Sequence, residues 1–359
     1  MQTHQVSNSS LGQANSPYFE TLETLPCLFR NPQCILFDNE IIICGGLWNS
    51  GCFSYHILKN EYKRVCAYPT FISRLDTIVI QHEATIWFFC KPQNQVMILK
   101  YQSVWDESNE PKNEIVPIDN LENLHYETLQ CVVIGGSKDG FLFLVHPPNV
   151  IQVLNLKSLE LVAQNVLPIE RATSFTSFIK VSTGLILFHE DGALHITYTE
   201  QTRTFDYKLI CICPNLVNVI SFSCICIKDL VVVFGGFNEN DGRCSDQIQL
   251  YSTTTKKWKL CSHKLPKPMA RAFAIVNKEN TFVHIVGGWD EEHFTKNHIK
   301  IKKEILIGVV KVSSADKAIL ILSPTNEELQ VVLSHWFRLN KTKRYGWIKE
   351  FNIIIENFL

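Results

Sequence analysis

The feature that most constrains the fold of this chain is a series of apolar runs that recurs along it. Each run is four or five residues long, and successive runs begin 44 to 55 residues apart. Repetition at such a period is typical of folds built from similar supersecondary units. The six runs are 41–44, 86–90, 141–145, 185–188, 231–234 and 282–286.

Each of these runs belongs to a larger unit with the pattern of four short strands. A strand-like segment and a tight turn precede each run, as in Lys138-Asp139-Gly140 before 141–145, and two further strand-like segments follow in most units. Turns of the Asp-Gly and Asn-Glu type between apolar runs are hairpin signals. Four antiparallel strands repeated at this period predict the blades of a β-propeller.

The sixth unit lacks a clear fourth strand of its own, and the start of the chain offers a replacement. Residues 18–24 lead into Leu25-Pro26 much as Trp258 leads into Leu265-Pro266. We therefore predict that residues 18–24 form the outer strand of the last unit. Such a strand joins the two ends of the chain and removes an exposed sheet edge.

Glycine doublets follow three of the apolar runs, at Gly45-Gly46, Gly235-Gly236 and Gly287-Gly288. Glycine accepts positive φ and close backbone approach, which a chain leaving a crowded inner strand requires. In the fifth unit the doublet is followed by Tyr251, by Trp258 after six intervening residues, and then by Pro266 and Arg271. Large aromatics of this kind are expected to pack between blades.

This order of apolar run, Gly-Gly, Tyr, Trp, Pro and Arg resembles the kelch repeat, and the resemblance covers about residues 18–308. It implies an all-β fold, a six-bladed β-propeller of four-stranded antiparallel blades closed by an N-terminal strand. We assign residues 17–312 to the propeller and expect residues 1–16, which are polar, to form a disordered leader.

The end of the chain has a different pattern and predicts two amphipathic helices within 323–359, a short C-terminal helical hairpin. Leu329, Val332, Leu333 and Trp336 recur at helical spacing, and Thr325 with Glu328 forms a capping-box pattern. Two interpretations are open. The helices pair and pack on the propeller, or they dock a second partner or self-associate.

The composition indicates which classes of partner and which cellular compartment to expect for this protein. The net charge is −1, which favours neither nucleic acid nor membrane surfaces as a partner. No apolar run approaches the length of a membrane span, and no secretory signal precedes residue 17. The thirteen cysteines, several inside apolar runs, predict reduced core thiols and a cytoplasmic location.

No cofactor or metal is predicted. Cys211 with Cys213, and Cys224 with Cys226, place pairs of thiols on one face of a strand, but their spacing differs from that of structural zinc sites. No Cys–Tyr and His ligand set of the kind used by the copper oxidases of this fold is present. No catalytic residue is therefore named.

Four arginines are the most informative polar residues of the sequence. Each follows a proline by three to five residues and precedes the first strand of a unit; they are Arg30, Arg74, Arg171 and Arg271. The kelch resemblance implies that these side chains line the mouth of the channel and contact acidic peptide segments. Guanidinium groups suit this role because they pair with carboxylates through two hydrogen bonds. Alternatively, each arginine donates to carbonyl groups of the neighbouring blade.

Loops after the second strands are expected to reach the same face, since loops on a rigid scaffold commonly carry binding residues. Their candidate residues are Trp48, Asn49, Phe237, Asn238, Trp289 and Asp290. The sequence thus predicts a non-catalytic scaffold that binds a protein partner through the loop face, with an acidic segment as the target. The alternative is a small-molecule enzyme, an isomerase or an oxidase, with its site at the channel mouth.

Overall fold

The fold is built almost entirely from antiparallel β-sheets, as predicted. The computed structural model describes residues 17–45, 51–69, 77–90, 95–108, 111–118, 129–169, 175–189 and 192–311. In these residues the strands form six four-stranded sheets and one three-stranded sheet. The predicted leader, 1–16, and the predicted tail helices, 323–359, lie outside the described residues.

The first three sheets each follow chain order, so that neighbouring strands in sequence are neighbours in the sheet. Sheet 1 contains β2 (Gln33–Phe37), β3 (Glu40–Cys44), β4 (Gly51–His56) and β5 (Glu61–Ala67). Sheet 2 contains β6 (Thr77–His82), β7 (Thr85–Cys90), β8 (Gln95–Lys100) and β9 (Ile115–Pro117). Sheet 3 contains β10 (Cys131–Gly135), β11 (Phe141–His146), β12 (Val150–Asn155) and β13 (Leu161–Val166).

The remaining sheets add one inserted hairpin and one strand from the start of the chain. Sheet 4 contains β14 (Phe175–Val181), β15 (Gly184–His189), β16 (Gly192–Thr199) and β17 (Thr204–Ile210). Sheet 5 contains β19 (Ser223–Ile227), β20 (Leu230–Phe234), β23 (Ile248–Ser252) and β24 (Trp258–Leu260). Sheet 6 contains β25 (Ala270–Val276), β26 (Phe282–Trp289), β27 (His298–Lys302) and β1 (Phe19–Thr21). The three-stranded sheet contains β18 (Val219–Ile220), β21 (Phe237–Asn238) and β22 (Arg243–Cys244).

The apolar runs that define the repeat form the second strands of these sheets. Every residue of β3 and of β20 is buried, because neighbouring sheets cover both faces of these strands. The fourth strand of sheet 1, β5, is instead mostly exposed or half-buried. This gradient explains why the second strands are the clearest signal in the sequence and the fourth strands the weakest.

The first strands contact one another in a circular order, and the two ends of the chain meet in sheet 6. Strand β2 contacts both β6 and β25. The N-terminal strand β1 pairs antiparallel with β27, with Glu20 opposite Lys300. The prediction that residues 18–24 supply the outer strand of the last unit is therefore confirmed, with the strand spanning Phe19–Thr21.

The doublet glycines that the structure describes adopt the positive φ that was predicted for them. Gly45, Gly235 and Gly236 have φ values of +80°, +59° and +111°. The expectation that each doublet ends its strand is wrong in sheet 6, where β26 continues through Gly287 and Gly288 to Trp289. The strand continues because Ala272 pairs with Gly287 and Ala270 pairs with Trp289.

Tyr251 and Trp258 pack where sheets 4 and 5 meet, as predicted. Their ring centroids are 5.0 Å apart, and Phe188 of sheet 4 lies 6.5 Å from the Trp258 ring. Tyr251 is 4% exposed. The Trp258 Nε1–H donates a 2.8 Å hydrogen bond to the carbonyl of Cys211, which follows the last strand of sheet 4. One side chain thus links two neighbouring sheets.

Trp258→Phe is expected to lower the free energy of unfolding by about 1–2 kcal/mol, because it removes this hydrogen bond and part of the buried ring. Chemical denaturation of both proteins measures the difference. Trp289→Phe is the matched control, because no hydrogen bond of the Trp289 indole is present among the described residues. Equal losses in the two variants would contradict a linking role for Trp258.

A helix that the sequence did not predict follows the last strand, α1 (Lys303–Lys311). Its Leu306 is fully buried in an apolar cluster that includes residues of sheets 5 and 6. Neither this helix nor any other helical segment among the described residues is long and apolar enough to cross a membrane. The helix therefore packs against the apolar cluster that sheets 5 and 6 share.

Candidate binding site at the channel mouth

The first strands of the six sheets surround a cavity with a volume of about 370 Å³. Its lining comes from the beginnings of these strands, so the cavity opens at the end where every first strand starts. The lining residues are Arg30–Gln33, Thr77–Val79, Gln130–Val132, Thr176–Ile179, Ser221–Cys224 and Arg271–Phe273. Cavities of this size are typical of ligand-binding pockets.

Arg30 and Arg271 are the charged residues of this lining among the described parts of the chain, and no carboxylate accompanies them there. Arg30 comes just before β2 of sheet 1, and Arg271 lies in β25 of sheet 6. Ring closure therefore brings together two side chains from opposite ends of the sequence. Two like charges in a partly enclosed space create a positive potential that favours an anionic ligand.

Neither guanidinium has a hydrogen-bond acceptor within the described residues. The Arg30 Nε is buried without a hydrogen-bond partner there, and the Arg30 Cζ lies 5.7 Å from the centroid of the Phe294 ring. The side chain of Arg271 makes no ion pair or hydrogen bond within the same set of residues. Within the described ranges, neither arginine side chain donates to a carbonyl of a neighbouring sheet.

Positive φ recurs in three sheets at, or just before, the start of the first strand. Asn31, Ser221 and Arg271 have φ values of +57°, +56° and +57°. The Arg271 N–H donates a 2.7 Å hydrogen bond to the carbonyl of Ser221, which ties sheet 6 to sheet 5. Positive φ in a residue other than glycine costs energy and persists where surrounding contacts enforce it, often at functional sites.

Hydroxyl and carboxamide groups supply the other polar side chains of the described lining, the carboxamides being those of Asn31, Gln33 and Gln130. Thr77, Thr176, Ser177 and Ser221 all contribute to its lining. The Ser177 Oγ lies 3.0 Å from the Cys224 Sγ. Burial raises the pKa of the Cys224 thiol to about 12, so this sulfur stays protonated near neutral pH and is a poor nucleophile.

The described lining contains no His, Lys, Asp or Glu that would act as a general base. The arrangement is therefore suited to holding an anion through two guanidinium groups and several hydroxyls. The sequence predicted the two arginines and missed the hydroxyls. A search for polar residues at the start of each first strand would have found them.

The predicted loop residues that the structure describes lie beside the mouth and do not line the cavity. Phe237 belongs to the three-stranded sheet, and its ring centroid is 5.6 Å from that of Trp289. Asn238 pairs with Val219 in the same sheet. The Asp290 carboxylate accepts a 2.9 Å hydrogen bond from the His293 N–H and so stabilises its own turn.

Four of the predicted site residues cannot be placed against this cavity. Arg74, Arg171, Trp48 and Asn49 lie outside the described residues. Their assignment to the binding face stays a prediction.

Comparison with known proteins supports the architecture. The sequence profile of the Kelch motif matches residues 221–264, which contain all four strands of sheet 5. No curated protein matches the chain significantly. A solved structure described as "Structure of YjhT" is similar with a TM-score of 0.58 at 11% sequence identity, and the match covers 78% of this chain and 95% of that one. At this identity the likeness concerns the fold alone. The matched motif is a kelch repeat within residues 221–264, and the order of the sheets together with this likeness shows that the fold is a β-propeller.

Proposed function

We propose that this propeller is a non-catalytic interaction module whose channel mouth binds an acidic segment of a partner protein. The observation that carries the proposal is the pair Arg30 and Arg271. They face one cavity whose described lining holds no carboxylate, and neither guanidinium has an acceptor among the described residues.

An acidic side chain is the ligand group that best satisfies these arginines. A carboxylate accepts two parallel hydrogen bonds from a guanidinium, and such charge-assisted bonds are stronger than neutral ones. The Arg30 Nε is already shielded from solvent. Pairing it with a carboxylate therefore gains more than pairing an exposed arginine, because the free state leaves a buried donor without an acceptor.

The shape of the mouth favours a segment of chain over a folded domain. A cavity of about 370 Å³ admits one or two side chains. Phe237 and Trp289 form a half-buried aromatic pair beside it, on which the rest of a bound segment can pack. Aromatic residues are enriched at protein interfaces for this reason.

The same cavity supports a second candidate function, the binding or conversion of a small anionic molecule. Its volume lies within the usual range for small-molecule pockets, and hydroxyl groups such as those of Thr77 and Ser177 would orient a polar ligand. This candidate requires a ligand that fits wholly inside the cavity. The first candidate requires contacts outside it as well.

The cytoplasm is the compartment we propose for this module. All thirteen cysteines are free, and most of them are buried. Proteins rich in unpaired thiols are typical of reducing compartments.

Selection from a phage-displayed library of random peptides tests the proposed function. The whole chain is immobilised, and a second selection uses the Arg30→Glu, Arg271→Glu variant. We expect the wild type to enrich peptides with Asp or Glu, and the variant to lose them. Enrichment without acidic residues, or equal enrichment on both proteins, would overturn the proposal. If only small carboxylates bind, and no peptide does, the second candidate is favoured.

A further inference from the structure

A pair of buried histidines lies where the last sheet of the ring meets the first. His284 of β26 and His298 of β27 are each 1% exposed. The His284 Nδ1 and the His298 Nε2 are 3.0 Å apart, within hydrogen-bond distance. The His284 Nε2 is buried and has no hydrogen-bond partner among the described residues. The pair thus sits in a dry environment with one ring nitrogen unsatisfied.

A tyrosine of sheet 1 extends this hydrogen-bonded chain across the interface. The Tyr62 Oη lies 2.6 Å from the His298 Nδ1. The Tyr55 ring packs against His298 with a centroid distance of 4.4 Å. Because Tyr55 and Tyr62 belong to β4 and β5, His298 connects sheet 6 to sheet 1 directly.

The same histidine holds the N-terminal segment that closes the ring. The Leu22 N–H donates a 2.8 Å hydrogen bond to the His298 carbonyl, and the Leu25 N–H donates one of 3.1 Å to the carbonyl of Lys296. The Glu23 N–H donates to the Asn60 side chain of sheet 1 at 3.0 Å. The closing segment is therefore attached to both sheets around the histidine pair.

The surroundings of the pair favour its neutral form. Burial, and to a smaller extent the Lys300 ammonium, lower the pKa of His284 to about 4. Burial, then His284 and Lys300, also hold the pKa of His298 well below its usual range. Lys300 is itself paired with Glu20 of β1 at 3.0 Å.

The carboxylates of Glu20 and Glu23 raise the pKa of Tyr55, and that of Glu23 raises the pKa of Tyr62, but neither is a cause of the histidine pKa shifts. The neighbouring phenols and thiol carry no charge that would compensate an added proton near neutral pH. Burial raises the pKa of the Tyr55 hydroxyl to about 12 and raises that of Tyr62 further, so both phenols stay neutral. Cys34 of β2, whose charge would act on Tyr62, is held as a neutral thiol because burial raises its pKa. One added proton places a positive charge on the histidine pair, which is buried between sheets 6 and 1 and lies near the Lys300 ammonium. A second proton would place two N–H groups against each other.

The geometry points to a proton-sensitive lock: His284 and His298, joined to Tyr62, hold the closing segment 18–26 in place when neutral and release it when protonated. When the closing segment is released, the two imidazoles contact water and their pKa values return to the ordinary histidine value. Opening is therefore coupled to proton uptake, and acid favours it.

The direction and size of the effect follow from the histidine pKa values. The folded-state pKa lies below the unfolded value of about 6.5, so the stabilisation is complete above that pH and is lost as the pH falls toward 4. At pH 5.0, a His284 pKa of about 4 in the closed state and about 6.5 in the open state increases the equilibrium constant for release of the segment by about 30-fold. Carboxylates keep most of their charge at this pH, so they contribute little to the change.

Hydrogen exchange on the full chain, measured by mass spectrometry between pH 7.5 and 5.0, tests this lock. Rates are corrected for the intrinsic pH dependence of amide exchange. We expect protection of the peptide that covers residues 18–26 to fall by about 30-fold or more. A peptide around Leu167, whose N–H donates to the Asn149 carbonyl at 2.7 Å in sheet 3, is the internal control and should change little.

Two variants separate the lock from a purely structural contact. Tyr62→Phe removes a hydrogen bond but keeps both imidazoles. It should therefore lower the exchange protection of 18–26 at every pH and leave the dependence of that protection on pH unchanged. In the double variant His284→Gln, His298→Gln, the exchange protection of 18–26 should not change with pH. A wild-type profile of 18–26 that is flat, or that parallels the sheet 3 control, would overturn the proposal even if neither variant folds. This experiment measures closure of the ring and does not depend on any ligand.

Discussion

Arg30→Glu combined with Arg271→Glu is expected to weaken binding of a selected acidic peptide by at least about 100-fold. Each guanidinium that pairs with a carboxylate contributes roughly 1.5–3 kcal/mol, and two lost pairs correspond to a factor of 100 or more. Reversing the charge adds repulsion between the variant and the peptide. Because both arginines line one cavity, we expect the double variant to lose more affinity than either single variant.

Fluorescence anisotropy with a labelled acidic peptide measures this effect. Arg203→Glu is the matched control, because Arg203 is an exposed arginine in the turn between β16 and β17, away from the cavity lining. Thermal unfolding of each variant checks that the fold is intact. An affinity that falls equally in the control and in the double variant would show that net charge, and not the mouth, determines binding.

Gly235→Ala is expected to lower the free energy of unfolding by at least about 2 kcal/mol. The residue has a φ of +59°, and a Cβ at this position would lie 2.2 Å from the Met269 carbonyl oxygen. That carbonyl accepts a 2.9 Å hydrogen bond from the Gly236 N–H, so it cannot move without losing a contact between sheets 5 and 6. The left-handed conformation costs about 1 kcal/mol for alanine, and the displaced hydrogen bond contributes a further 1–1.5 kcal/mol or more.

Gly242→Ala is the control, because Gly242 also has a positive φ but an added Cβ would not clash with any neighbour. Its φ is +69°, and an added Cβ would have no neighbour within 4 Å. We expect its cost to be about 1 kcal/mol, which is the conformational penalty alone. Urea denaturation of both variants gives the two values. If Gly242→Ala were as destabilising as Gly235→Ala, close approach of the backbones would not be the reason for the doublet.

The sequence predicted the closing strand because the outer strand of a unit carries a local pattern. Tyr18 precedes Leu25-Pro26 by the same spacing that separates Trp258 from Leu265-Pro266, and both segments contain outer strands, β1 and β24. The helix α1 could not be predicted in the same way. Ile305, Leu306 and Ile307 form a compact apolar run of the type that also makes strands, and burial beneath sheets 5 and 6 accompanies the helical conformation.

The candidate site was only partly accessible to sequence reasoning. The spacing from proline identified Arg30 and Arg271, and closure of the ring then placed them at one cavity. The histidine pair was not predicted, because His284 and His298 lie in different strands. They contact each other across sheet 6, and His298 contacts Tyr62 only when sheet 1 packs against sheet 6. Contacts made across a closed ring leave no periodic signal in the sequence.

Photo-crosslinking tests the central claim, that the channel mouth is the binding surface, most directly. An acidic peptide selected on the wild type carries a benzophenone next to its Asp or Glu, and mass spectrometry identifies the crosslinked residues. The account predicts crosslinks at the beginnings of the first strands, within 30–33, 221–224 and 271–273. Crosslinks confined to the outer strands, such as β5 or β17, or to the chain beyond residue 311, would contradict it.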